Sequence, residues 1–255
     1  MKIAVVTGAS SGMGREFVLA IQKEYGEQLE EIWVLARRRE RLEELQSECS
    51  LPLRVFAIDL QNQEQYQCYL EALQEEKPRV GILVNGAGMG KIGEFSQISS
   101  EGNLSMIDLN CGALTKITYD TLPYMKTKSK IVHLASGAAF LPQAGFGVYA
   151  ASKAYVLSFS QALCWELKKK GIHVMAVCPG PVNTEFFQTA EEFEAMAGYK
   201  KFFLADPKRV VKKAMKDLKQ GREISVYGFS MQVVRIAAKL LPHSLLLRIM
   251  NCKMH

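Results

Sequence analysis

Thr7-Gly8-Ala9-Ser10-Ser11-Gly12-Met13-Gly14 lies between an apolar run at residues 3–6 and a helical pattern at residues 14–25. A glycine-rich bend in that position lets backbone amides approach a phosphate, whose charge is favoured by the N-terminus of the following helix. Gly8, Gly12 and Gly14 permit the tight turn, and Ser10, Ser11 and Met13 complete it. The spacing is Gly-x-x-x-Gly-x-Gly instead of the commoner Gly-x-Gly-x-x-Gly. It is the strand before and the helix after that separate it from an ordinary glycine turn.

Outward from this loop, apolar runs recur at residues 32–35, 53–58, 80–84, 131–134, 172–177 and 224–226. Helical patterns fill the intervals at residues 40–48, 63–76, 103–125, 148–170 and 207–220. Strand alternating with helix implies a parallel sheet covered on both faces. The fold class expected is α/β, a Rossmann-like doubly wound parallel sheet of about seven strands with helices on both faces. Ligands of such sheets lie beyond the carboxyl ends of the strands, so chemistry is sought just after each apolar run.

The 255 residues are 48% hydrophobic and 23% charged, enough for one substantial core. Nothing repeats and no linker intervenes, so residues 1–255 read as a single domain. A net charge of +6 with basic and acidic residues interspersed gives no support to nucleic-acid binding. Six cysteines without Cys-x-x-Cys or a histidine partner point to a reduced compartment and to no metal. The strand pattern starts at Lys2 and no run of about 20 apolar residues occurs, so a soluble cytoplasmic protein is expected. His133 and His173 sit in strand patterns and read as structural, while Glu40, Glu43 and Glu44 among arginines read as a solvated ion-pair surface.

About 20 residues past the loop, where a dinucleotide's adenosine ribose would lie, stands Ala36-Arg37-Arg38-Arg39. A carboxylate there would bind the free 2′-hydroxyl of NAD and repel a 2′-phosphate, whereas arginine donates charge-assisted hydrogen bonds to phosphate. NADP(H) is therefore expected in preference to NAD(H), with Arg37 weighted above Arg38. A solvated basic helix start is the plainer reading and suits Arg39 and Arg41 better than the first two.

Ser136 follows an apolar run, and Tyr149-Ala150-Ala151-Ser152-Lys153 opens a helical pattern. The i, i+4 spacing puts phenol and ammonium on one helix face. A tyrosine titrates near ~10 in isolation, and a neighbouring cation lowers that value, making the phenol usable for proton transfer. Ser136 would then hold a carbonyl or hydroxyl oxygen while Tyr149 moves the proton. Alone, such a pair is a common solvated helical contact.

Taken together, these residues resemble the short-chain dehydrogenases/reductases over nearly the whole chain. Thr7 to Gly14 is similar to the family's cofactor loop, and Asp59-Leu60 to its adenine contact. Asn85-Gly86-Ala87-Gly88 resembles its Asn-Asn-Ala-Gly signature, with Gly86 in place of the second asparagine. Asn110, Ser136, Tyr149 and Lys153 match the catalytic set in order, and Pro179-Gly180-Pro181-Val182-Asn183-Thr184 resembles the loop beside the nicotinamide. The resemblance implies that Val182 and Thr184 fix the carboxamide and that Lys153 also binds the nicotinamide ribose. It further implies that Asn110 maintains a water path for the proton, and that the chain forms a homodimer or homotetramer through its two long helices.

Two stretches bear on the substrate. Residues 184–206 lack a strand pattern and carry Phe186, Phe187, Phe193, Phe202 and Phe203, which suits a substrate lid. Residues 228–255 form an amphipathic C-terminal extension, with Met231, Val233, Ile236, Leu240 and Leu245 interrupted by Arg235, Lys239 and Arg248. It suits packing on its own domain or a partner subunit, capping an apolar site, or peripheral contact with a membrane. The expected reaction interconverts a ketone and a secondary alcohol, with a bulky lipophilic substrate such as a hydroxysteroid or bile acid. A 3-ketoacyl reductase acting on carrier-linked chains and a non-catalytic NADP-sensing protein are the competing readings.

Overall fold

The computed structural model describes residues 1–190 and 204–251. Seven strands, β1 (Lys2–Thr7), β2 (Glu31–Ala36), β3 (Leu53–Ala57), β4 (Arg79–Asn85), β5 (Met125–Leu134), β6 (His173–Val177) and β7 (Ile224–Ser225), form one sheet. Their order is β3-β2-β1-β4-β5-β6-β7, and every neighbouring pair is parallel. The helices are α1 (Gly12–Tyr25), α2 (Arg39–Ser47), α3 (Gln63–Glu76), α4 (Ser100–Ile107), α5 (Leu114–Thr121), α6 (Gly147–Leu167), α7 (Glu185–Ala190), α8 (Pro207–Lys219), α9 (Phe229–Leu240) and α10 (His243–Asn251). Both the fold class and all seven strands follow the sequence reading.

Alternation along each strand divides the core between two faces. Ala4, Val6, Ile32, Val34 and Val84 meet Phe17, Val18 and Ile21 of α1, Leu42 and Leu45 of α2, and Val211 and Met215 of α8. Ile3, Val5, Trp33, Leu35 and Leu83 meet Tyr66, Tyr69 and Leu73 of α3, Ile117 of α5 and Leu163 of α6. Phe17 is fully buried, which at typical transfer values contributes about 2–3 kcal/mol. Side chains start several helices: Asn62 accepts from Gln65 N, Ser99 from Gly102 N, and Asp206 from Lys208 N with Pro207 in the first turn. Buried Asp217 joins the last strand to α8, accepting from Ser225 Oγ at 2.7 Å and pairing with Arg222 at 3.3 Å.

The helix expected over residues 103–125 is not continuous. It starts at Ser100, widens into a π-helical segment at Asp108–Ala113, resumes as α5, and closes in a 3₁₀ turn at Leu122–Tyr124. Pro123 falls in that last turn, where it cannot supply the amide of a continuing helix. Met125 opens β5 instead of ending a helix, and β5 reaches its neighbour through a register shift between Val80 and Ile82.

Strand order reverses between β1 and β4, so their carboxyl ends form the crevice in which ligands of this fold class sit. Thr7 Oγ1 ties the two ends together, accepting from Gly86 N at 3.0 Å and Ala87 N at 3.1 Å.

Candidate active site

The glycine loop is built to exclude side chains. Gly8 has φ +66°, and a Cβ there would lie 2.7 Å from Ala87 N. One on Gly14 would lie 2.2 Å from Gly8 O, and one on Gly86 would lie 2.6 Å from Thr7 O. Gly86, the departure from the family's second asparagine, is thus in backbone contact with β1. A Cβ on Gly12 (φ +52°) would lie 3.1 Å from Thr184 Cγ2, so the loop after β6 lies over the loop after β1.

At the β2 end, Arg38 reaches the loop, donating from Nη2 to Ser10 Oγ at 3.3 Å and pairing through Nη1 with Glu185 Oε2 at 2.7 Å. Arg37, weighted above Arg38 on sequence, is exposed and has no partner among the described residues, so Arg38 is the one of the two engaged with the loop. Asp59 accepts from Gln61 N at 3.0 Å, its own amide donates to Gln65 Oε1 at 2.7 Å, and Leu60 packs partly buried against the core. Asn85 Nδ2 donates to Thr118 Oγ1 at 2.8 Å, while its buried Oδ1 has no partner among the described residues.

Asn110, Ser136, Tyr149 and Lys153 converge at the carboxyl ends of β4 and β5. The π-helical segment turns Asn110 toward the loop after β4, where it makes a two-point contact with Met89, accepting from its amide and donating to its carbonyl, each at 2.9 Å. It also donates to Ser152 Oγ at 3.0 Å. The Asn110 side chain is therefore engaged with protein on every side described. Ser136 ends β5's connection and starts a 3₁₀ turn at Gly137–Phe140, its Oγ accepting from Ala138 N at 3.1 Å.

Tyr149 and Lys153 are both buried on α6. Lys153 Nζ donates to Leu134 O at 2.8 Å and lies 5.7 Å from the centre of the Tyr149 ring. Gly88 closes over both partners, since a Cβ there would lie 3.0 Å from Asn110 Oδ1 and 3.2 Å from Lys153 Nζ. Burial pushes the Tyr149 phenol up to about 12, against the downward pull of the Ser136 hydroxyl beside it. Burial also pulls Lys153 down to about 8, against the upward influence of the Cys111 and Cys178 thiols. The expectation that Lys153 lowers the Tyr149 pKa is not what governs the phenol in the protein alone: burial is the largest influence and raises it, and the opposing influence is the Ser136 hydroxyl.

Beyond the phenol the surroundings are aromatic. Phe146 stacks on Tyr149 with centroids 4.1 Å apart, and Phe186 lies at 5.5 Å. Gly90 makes room, because a Cβ there would lie 2.7 Å from Phe186 Cζ and 3.0 Å from Tyr149 Cδ2. Pro179 O accepts from Gly137 N at 2.7 Å. Val182 is buried and forms a lone bridge with Ala205, and Thr184 Oγ1 donates to Val182 O at 3.5 Å. Met231 of α9 covers the same wall, its Cγ 3.0 Å from a Gly180 Cβ position.

The lid expected over residues 184–206 is described at its two ends only. α7 begins it, and Ala190 O accepts from Ile92 N at 2.8 Å; Phe193, Phe202 and Phe203 lie outside the described residues. Sequence reading missed Gly90, Phe146 and Glu185. Gly90 had a signal, continuing the glycine run of residues 86–88; the other two did not, since each acts through a partner distant in sequence.

His133 is fully buried, with Nδ1 2.9 Å from Ser160 Oγ and Nε2 3.3 Å from Thr118 Oγ1. Burial pulls it down to about 3, so it stays neutral, as a structural histidine should. Among the described residues no group of three His, Cys, Asp or Glu is placed to hold a metal ion.

The donors and clearances fit a nicotinamide dinucleotide: a loop whose Gly8 and Gly14 admit no Cβ, a guanidinium and a hydroxyl at its adenosine side, and a buried ammonium beside a phenol at its far side. The family model for short chain dehydrogenase matches residues 2–195. An NADP-dependent 3-hydroxy acid dehydrogenase of Escherichia coli is 34% identical over 188 residues, covering 72% of this chain and 74% of that protein. A short-chain dehydrogenase from Sphingobium yanoikuyae, solved with NADPH, is 27% identical with a TM-score of 0.76 over 89% of this chain and 87% of the other. A bulky-bulky ketone specific alcohol dehydrogenase from Comamonas testosteroni is 26% identical with a TM-score of 0.72, covering 89% and 86%.

Proposed function

Since the chain belongs to the short-chain dehydrogenase family and is an oxidoreductase of CH–OH groups, we propose that it uses NADP(H) to interconvert a bulky lipophilic ketone and its secondary alcohol. The observation that carries the reading is the buried Tyr149, flanked by Ser136 and Lys153 and walled by Phe146 and Phe186. Hydride transfer to or from the substrate carbon is the chemistry a nicotinamide would supply when held there.

The residues do the rest. Ser136 Oγ accepts from Ala138 N, which leaves its own proton for the substrate oxygen. Tyr149 gives its proton to that oxygen in reduction and recovers it in oxidation. A phenol raised to about 12 is a proton donor at neutral pH, and a second positive charge beside it would be needed to ease proton return. Lys153 Nζ gives one proton to the Leu134 carbonyl, so other protons of its ammonium can meet ribose hydroxyls. Asn110, fully engaged with Met89 and Ser152, acts by holding the loop after β4 against α6. At the adenosine side we assign Gly8, Gly12 and Gly14 to the pyrophosphate, Arg38 and Arg37 to the 2′-phosphate, and Asp59 and Leu60 to the adenine. Val182 and Thr184 are assigned to the carboxamide.

The aromatic wall of Phe146 and Phe186 is what supports a hydroxysteroid or bile acid. The 3-hydroxy acid relative from Escherichia coli favours a second reading, a short polar hydroxy acid. NADPH oxidation measured across steroid, fatty and short polar carbonyl compounds separates the two: turnover confined to the short polar acids would overturn the lipophilic reading.

The setting we propose is cytoplasmic, supported by free thiols at Cys49, Cys68, Cys111, Cys164 and Cys178. No helix among the described residues is long and apolar enough to cross a membrane. Tyr119 and Trp165, 77% and 65% exposed on α5 and α6, support a homo-oligomeric interface on those helices. Peripheral membrane contact is supported by α9, whose Phe229, Val233, Ile236 and Leu240 are exposed at helical spacing beside Arg235 and Lys239.

A further inference from the structure

Glu185 is the only acid between residues 179 and 190, and it opens α7. Its carboxylate crosses to the other side of the crevice. Oε2 lies 2.7 Å from Arg38 Nη1 and Oε1 lies 3.9 Å from Arg41 Nη2, while Arg38 also donates to Ser10 in the glycine loop. The neighbouring arginines have acids on their own helix: Arg39 pairs with Glu43 at 3.6 Å and Arg41 with Glu44 at 3.7 Å. Arg38, the guanidinium turned toward the loop, is the one whose carboxylate partner comes from 147 residues away.

We propose that the Glu185 carboxylate occupies the subsite of the adenosine 2′-phosphate and sets the discrimination between NADP and NAD by competing with that phosphate for Arg38. The inference rests on the assignment of Arg38 to the 2′-phosphate made above. Arginine held by a carboxylate cannot offer the same N–H groups to a phosphate, so Glu185 must yield when a 2′-phosphorylated nucleotide binds. Both side chains are 44% exposed, which makes the pair a weak lock that a dianion with more acceptor oxygens can open. The guanidinium of Arg38 and the hydroxyl of Ser11 hold the Glu185 carboxyl below its usual range, so it stays charged and competes throughout the neutral range. A nucleotide with a free 2′-hydroxyl has no such competitor to displace.

The test compares binding of 2′,5′-ADP and 5′-AMP by calorimetry, fragments that carry the adenosine end without the nicotinamide. Glu185→Gln, which keeps the shape and removes the charge, should tighten 2′,5′-ADP about three- to tenfold at low salt, with the gain shrinking as salt rises. Binding of 5′-AMP should stay within about twofold, and in an Arg38→Ala background Glu185→Gln should change nothing further. If Arg38→Ala selectively weakens 2′,5′-ADP but Glu185→Gln leaves it unchanged or weakens it, the competition is overturned while the phosphate site stands. If Glu185→Gln weakens 5′-AMP, Glu185 serves the ribose instead and the proposal fails. If neither the wild type nor Arg38→Ala distinguishes the two fragments, the NADP assignment itself falls, and the competition with it.

Discussion

Lys153 holds its ammonium 5.7 Å from the centre of the Tyr149 ring and 2.8 Å from the Leu134 carbonyl, in a site buried enough to pull its own pKa down to about 8. The proximity a proton relay needs is therefore set against the stability of the fold. An unfolded lysine keeps its proton up to about 10.5, so between about pH 8 and 10.5 the unfolded chain binds more protons and stability rises with pH.

Below pH 8 the buried charge costs about 3 kcal/mol, and Lys153→Met should make the cofactor-free protein about 1–3 kcal/mol more stable at pH 7 while abolishing turnover. The difference should narrow by pH 9.5. Urea denaturation at the two pH values measures it, and a variant less stable than wild type at pH 7 would contradict the account.

Tyr149→Phe should lower kcat by about a thousandfold or more and leave NADPH binding within about threefold, because only the proton-transfer group is lost. Stopped-flow hydride transfer and fluorescence titration of NADPH check the two halves. Residual activity within tenfold of wild type would remove Tyr149 from the proton path.

Gly14→Ala places a methyl where Gly8 O lies 2.2 Å away, a backbone contact that cannot yield without opening the loop. The expected result is a loss of about 1–3 kcal/mol in stability and loss of measurable binding for NADPH and NADH alike. Thermal unfolding with and without nucleotide reads both; nucleotide-induced stabilisation equal to wild type would show that the loop does not hold the pyrophosphate.

Arg38→Ala should weaken NADPH about ten- to hundredfold relative to NADH, the range expected for charge-assisted hydrogen bonds, and Arg37→Ala should do so by a smaller factor. Equal losses for both cofactors would argue against any 2′-phosphate contact.

Pairing Ile236→Glu with Leu240→Glu changes the exposed face of α9 and spares Met231, which packs at the active-site wall. Sedimentation with vesicles rich in anionic lipid should fall several-fold relative to wild type, with kcat for a soluble carbonyl compound unchanged. Equal sedimentation of the two proteins would end the membrane reading.

By itself the sequence determined the alternation of strand and helix, the glycine loop, and the spacing of Tyr149 and Lys153, because these depend on residue type and on neighbours a few positions apart. A parallel sheet follows from that alternation, and Gly8, Gly12 and Gly14 announce their backbone without reference to the rest. Tertiary structure decided what depends on distant partners. Asn110 meets Met89 only because α4 relaxes into a π-helical segment, and Arg38 instead of Arg37 reaches the loop because Glu185 and Ser10 converge on it. The direction of the Tyr149 shift also waited for the fold: spacing places an ammonium nearby, but desolvation is a property of the whole surrounding core, and here it prevails.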